Sequence, residues 1–77
     1  MESAFKQLLD QHNRILYKIG RSYTTNQADF DDLYQEMLIQ LWKAYPRFRG
    51  DSKVSTWLYR VALNTALSFT RNTKRNM

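Results

Sequence analysis

This sequence has no cysteine, one histidine, one proline and only two glycines among its 77 residues. Without cysteine there is neither a disulfide framework nor a thiolate metal site, so packing alone has to stabilise a chain of this size. The absence agrees with a reducing, cytoplasmic compartment. Apolar runs are only a few residues long, far below the roughly 20 that cross a bilayer. No basic-then-apolar leader opens the chain, and a soluble protein without a membrane partner is expected. One histidine, no glycine-rich phosphate loop and no nucleophile–base pair recognisable by spacing leave no enzyme signature, so neither catalysis nor a cofactor is expected. His12 lies on or beside the apolar stripe of its segment, where packing or a boundary hydrogen bond accounts for it. The acidic cluster Asp29/Asp31/Asp32 suits a helix start, where carboxylates complement the helix dipole, so no metal is expected.

The scarcity of glycine and proline also sets the organisation, because these residues punctuate helices. Three helical segments are expected and no repeat is present. In residues 3–23, Phe5, Leu8, Leu9, Ile15, Leu16 and Ile19 recur at helical spacing, and Ser3 can cap the start. Gly20 falls either at the break or inside the last turn, where it would let a neighbouring helix approach, since Tyr23 continues the apolar period. Residues 24–26 compete with the backbone for hydrogen bonds, and Asp29 is the expected N-cap of a helix over 30–45. That helix has two adjoining apolar rows, Phe30/Leu33/Met37/Leu41 and Tyr34/Leu38/Trp42/Tyr45, a stripe wide enough to meet more than one neighbour. Pro46 ends it. Phe48 is expected to plug the core, Gly50 to permit a turn, and Ser52 or Ser55 to cap a third helix from about 54 to 71. Its inward stripe is Leu58, Val61, Ala62, Thr65, Ala66 and Phe69. The expected fold is all-α, one compact three-helix bundle with room for an extra short helix, its core about 3–71 and a frayed basic tail over 72–77.

Charge is divided along the chain. Residues 1–42 hold four basic groups against six acidic ones, whereas residues 43–77 hold eight against Asp51 alone. One end is a candidate for binding polyanions and the other for a basic partner. Two surfaces follow. The polar ridge Asp32, Gln35, Glu36, Gln40 and Lys43 reads on composition alone as an ordinary solvated face. The second is the basic, aromatic stretch from Arg47 to Arg60, where rings beside cations can stack on unpaired bases at roughly 1–3 kcal/mol each. Trp57 and Tyr59 are two positions apart and cannot both face inward from one helix stripe, so at least one is expected at the surface.

Several spaced motifs agree in order across residues 5–72. They are Asp31-Asp32-Leu33-Tyr34-Gln35-Glu36, Leu41-Trp42-Lys43-Ala44, Phe48-Arg49-Gly50, and Ser55-Thr56-Trp57-Leu58-Tyr59-Arg60-Val61-Ala62 with Asn64. Together they resemble conserved region 2 of bacterial RNA polymerase sigma factors, most closely the extracytoplasmic-function group. The resemblance implies a helical domain with two tasks. Asp32, Gln35, Glu36 and Trp42 match residues that dock on the clamp helices of the polymerase's largest subunit. Residues 49–64 match those that engage the minus-ten promoter element, melt it and hold a base flipped from the non-template strand. On that footing Arg49, Lys53, Arg60 and Arg71, with Lys74 and Arg75 in the tail, attract phosphates. Trp57 or Tyr59 stacks on or wedges into the opening duplex, and Ser52, Ser55 and Asn64 meet the extruded base. Members of the group also carry a C-terminal domain that reads the minus-thirty-five element; nothing here matches it, and the chain is expected to be a fragment. Two other functions compete. One is a helix-turn-helix domain reading duplex DNA, against which the 46–53 connection is long. The other is a protein-interaction module whose basic surface meets an acidic partner such as an anti-sigma factor.

Overall fold

The computed structural model describes the backbone of residues 2–75 and the side chains of residues 3–71. Three helices make up the fold, α1 (Glu2–Ser22), α2 (Gln27–Ala44) and α3 (Val54–Arg75), with a single 3-10 turn at Tyr45–Arg47. No strand occurs among the described residues. The all-α bundle and its extra short helix are as the sequence leads one to expect.

The first helix bends at His12, whose φ of −119° and ψ of 17° are not helical. On either side of the bend, Phe5, Leu16 and Ile19 are buried, while Leu8, Leu9 and Ile15 pack partly buried against the same core. Its last turn is closed by hydroxyls. Thr24 Oγ1 donates to the Gly20 carbonyl at 2.7 Å, which satisfies an acceptor that a helix end leaves unpaired, and Ser22 Oγ donates back to the Lys18 carbonyl at 2.8 Å. Tyr23 lies exposed at the edge and does not extend the core stripe.

Gly20 lies within α1, and its missing side chain makes room for a ring. A Cβ built there would sit 2.7 Å from Phe30 Cε1. Phe30 cannot easily give way, because its ring packs in a cluster with Tyr17 and Tyr34 at centroid distances of 5.5 and 5.8 Å, under the Arg21 guanidinium at 4.0 Å. Gly20→Ala should therefore lower stability by up to about 2 kcal/mol, the overpacking cost of about 1–3 kcal/mol being offset by about 1 kcal/mol of helix propensity gained. Thermal unfolding followed by circular dichroism checks this; a raised midpoint would mean that the ring moves aside freely.

The second helix starts earlier than the sequence suggested, and Asp29 is not its cap. Asn26 has extended backbone angles and its Oδ1 accepts from the Asp29 amide at 2.8 Å, while its Nδ2 donates to Asp29 Oδ2 at 3.0 Å. Asn26 is thus the N-cap, and its side chain holds Asp29, the third helical residue, by both amide and carboxylate. From there Leu33, Met37 and Leu41 are completely buried, and Phe30 nearly so. Helix α2 packs against both α1 and α3, as its wide apolar stripe requires. Its second row, Tyr34, Leu38 and Tyr45, is partly buried at the margins of the core.

Pro46 does not stop the chain abruptly. Its ring fits the first positions of the 3-10 turn, where no amide donor is needed, and the Phe48 amide then donates to the Tyr45 carbonyl at 3.0 Å. Gly50 follows with φ +78°, the left-handed conformation that a glycine adopts at least cost. Helix α3 begins at Val54, so Ser55 is already inside its first turn and cannot be the cap. Neither Ser52 nor Ser55 donates or accepts a side-chain hydrogen bond among the described residues, which corrects the expected capping role of both. Instead the Trp57 amide bonds to the Lys53 carbonyl at 3.0 Å. Leu58, Ala62, Thr65 and Ala66 are buried along α3, with Val61 and Phe69 partly so. The backbone stays helical four residues past Arg71, through Arg75, where a frayed tail was expected. Of that expected tail, residues 76 and 77 lie outside the described backbone, and the side chains of Lys74 and Arg75 lie outside the described side chains.

Candidate nucleic-acid interface and docking ridge

The α2–α3 connection combines a fixed turn with a helix start that carries no acidic residue and no side-chain cap. Unpaired amides at such a start, with the positive end of the helix dipole, favour an anion. Around it Arg47, Arg49, Lys53 and Arg60 are exposed. Among the described residues no ion pair or hydrogen bond engages their side chains, so their charge is uncompensated at close range. Ser52 and Ser55 are half-buried with free hydroxyls at the same place.

The two aromatics of this stretch have different environments. Trp57 is partly buried, with its ring 4.9 Å from Phe48 and 6.3 Å from Tyr45, and it packs against the core. Phe48, expected to plug the core, is half-buried and acts through this contact. Tyr59, two positions on, is 47% exposed. Of the two rings it is the one with a free face. Arg60, Asn64 and Arg71 are exposed at helical spacings of four and seven, on one side of α3. Beside them Tyr59, Leu63 and Leu67 recur every four residues, Leu63 half-buried and Leu67 exposed. The sequence reading missed this apolar row, although its period of four is a visible signal.

On α2, Asp32, Gln35 and Lys43 are exposed and their side chains are free of partners among the described residues. Glu36 is half-buried and accepts from Gln40 Nε2 at 3.0 Å. Trp42 is 43% exposed and is held edge-on by Phe5 at 5.0 Å and 69°. Ile39, which the sequence reading omitted, is 45% exposed. It is three or four positions from Gln35, Glu36, Trp42 and Lys43, and seven from Asp32, so it occupies the middle of this ridge. The signal was an isoleucine outside both apolar rows. Asp29 and Asp31 belong to the helix start, Asp29 through the cap and Asp31 by accepting from Gln27 Nε2 at 2.8 Å. That leaves Asp32 and Glu36 as the ridge's acids.

Elsewhere, Tyr34 donates its hydroxyl to Asn13 Oδ1. Burial, then the neighbouring Tyr17 and Asp10, raises its pKa above the ordinary phenol value. Among the described residues no three potential metal ligands come together, and no helix is long and apolar enough to cross a membrane.

Known proteins align with most of this chain. The family model for sigma-70 region 2 matches residues 8–76. The RNA polymerase sigma factor NccH of Alcaligenes xylosoxydans xylosoxydans is 38% identical over 61 residues, which cover 79% of this chain and 33% of that protein. The ECF RNA polymerase sigma factor SigM of Mycobacterium tuberculosis is 34% identical over 71 residues, covering 92% and 36%. The ECF RNA polymerase sigma-E factor of Salmonella typhimurium is 35% identical over 68 residues, covering 88% and 35%. The chain thus spans about a third of the length of these curated relatives. No solved structure matches significantly.

Proposed function

Since the chain belongs to the sigma-70 region 2 family, we propose that it docks on core RNA polymerase through α2 and recognises and melts the minus-ten promoter element with the loop and first turns of α3. The observation that carries this is the division into two exposed surfaces on different elements, an acid-bearing ridge of α2 centred on Ile39 and a basic, aromatic start of α3 centred on Tyr59. The ridge's partner would be the clamp helices of the polymerase's largest subunit, and the work is done in the cytoplasm.

Melting needs no bond made or broken. Arg49, Lys53, Arg60 and Arg71 neutralise phosphates, a contribution that is salt-sensitive and indifferent to sequence. Tyr59 offers its face to a base leaving the stack, and Trp57 supports the turn from beneath. Ser52 and Ser55, whose hydroxyls have no protein partner, and Asn64 meet the edge of an extruded base, whose unpairing costs a few kcal/mol. Binding energy is thereby gained in the open state and not in the duplex, which shifts the equilibrium toward the open state.

A helix-turn-helix reading is disfavoured by the α2–α3 connection, which contains a full 3-10 turn and six further residues before α3, against a turn of about 3–4 residues in that motif. The test compares affinity for the non-template strand of a minus-ten element with affinity for its closed duplex. The strand should bind at least tenfold more tightly, and neutralising Lys53 should lower the salt slope by about 0.7. Preference for the closed duplex would sink the melting role.

A further inference from the structure

The outer face of α1 carries a feature that neither surface above uses. All four basic residues of the first 42 are on this helix, and Arg14, Lys18 and Arg21 follow one another at spacings of four and three, along one face. All three are exposed. The side chains of Arg14 and Lys18 have no partner among the described residues. Arg21 lies with its guanidinium carbon 4.0 Å over the Phe30 ring and donates to Gln27 Oε1 at 3.3 Å. Within this row of cations stands Tyr17, 46% exposed. Its ring is supported from within by Phe30 at 5.5 Å and 24°, and by Tyr34 at 5.2 Å and 42°. A tyrosine held by two rings loses little further entropy on binding, yet nearly half its surface remains open. Among the described residues Asp10, one turn before Arg14, is the acid on this face of α1, and Asp31 at the start of α2 is engaged by Gln27.

We propose that Arg14, Tyr17, Lys18 and Arg21 form a second contact for single-stranded nucleic acid, with an unpaired base stacked on Tyr17 and its flanking phosphates on the three cations. Charge complementarity alone would suit any polyanion. The pre-supported, half-open ring selects the partner with a flat π-face, because stacking adds a contribution that a carboxylate chain cannot make. The proposal is independent of the promoter reading, for α1 is a different helix from the loop and α3 surface.

Two measurements on the full chain test it, with a short oligothymidylate as probe. Amide chemical shifts of residues 14–21 should move on titration with the oligonucleotide, including in an Arg49→Gln/Lys53→Gln/Arg60→Gln background in which the other surface is disabled. In that background Tyr17→Ala should weaken binding about fivefold or more, and Tyr17→Phe should restore it. Arg14→Gln/Lys18→Gln should lower the salt slope by about 1.4. If Tyr17→Ala proves unstable, the Tyr17→Phe and Arg14→Gln/Lys18→Gln variants decide. Unmoved amides over 14–21, an unchanged salt slope, or equal displacement of those amides by polyaspartate would overturn the proposal, the last by identifying an acidic-protein surface. Loss of all binding in the loop variant, with 14–21 silent, would leave the promoter reading standing and remove this one.

Discussion

Trp57→Ala is expected to lower the unfolding free energy by about 2–4 kcal/mol, whereas Tyr59→Ala leaves it within about 0.5 kcal/mol. The residues are two apart in one motif, and their environments separate them. Trp57 closes a run of aromatic contacts that links Phe48 above it to Tyr45 beside it, and through Tyr45 to Phe5 at 5.2 Å. Removing its ring leaves a cavity under the loop and unsupported rings on two sides. In a domain of this size about 1 kcal/mol moves the thermal midpoint by 4–8 °C, so the variant should melt about 8–32 °C lower. Tyr59 has its face in solvent, and its loss should instead weaken binding of the single-stranded minus-ten element by about 5- to 150-fold, the range of one base-stacking contact. Circular dichroism melts and fluorescence anisotropy on both variants read the two effects separately. A stable Trp57→Ala that no longer binds would transfer the stacking role to the tryptophan.

Ile39→Glu should cost the docking interaction about 2 kcal/mol, roughly a 30-fold rise in the dissociation constant for the isolated clamp helices, with no change in folding. An isoleucine that is 45% exposed contributes little to the core, so stability is insensitive to it. In a complex it would be the apolar centre of a ridge whose rim is Asp32, Gln35 and Lys43. Covering an apolar centre with a polar rim concentrates binding energy at the centre, and a buried carboxylate there has no partner to offset its desolvation. Asp32→Lys, at the rim, should act less on affinity and more on the salt dependence of association. Equal binding by Ile39→Glu and the parent, measured by calorimetry, would place the docking face elsewhere.

Much of the fold was legible because apolar period and helix breakers act locally. The rows Phe30/Leu33/Met37/Leu41 and Leu58/Ala62/Ala66 are buried as their spacing dictates. The start of α2 was misjudged because Asn26 and Asp29 are both good caps, and only the bonded pair decides between them. The capping roles assigned to Ser52 and Ser55 failed for a related reason, since a serine near a helix start has the chemistry of a cap whether or not the backbone lets it reach an amide. For the candidate surfaces, residue types and order were visible in the motifs, and Arg49, Lys53, Tyr59, Arg60, Asn64 and Arg71 are exposed. Ile39 and the Tyr59/Leu63/Leu67 row were passed over because hydrophobic residues were assigned to the core by default, although much of a folded protein's surface is apolar.

By itself, the sequence determined three helices, their inward faces, the charge division between the two halves and the order of motifs that identifies the family. These follow from side-chain periodicity and backbone restriction, which act over a few residues. Only the tertiary structure decided which of Trp57 and Tyr59 is packed and which is open, that Gly20 exists to admit the Phe30 ring, and that Tyr17 is supported from within while facing outward. Those are properties of contacts among the helices and the α2–α3 connection, and whether a ring is buried or free depends on what another part of the chain places against it.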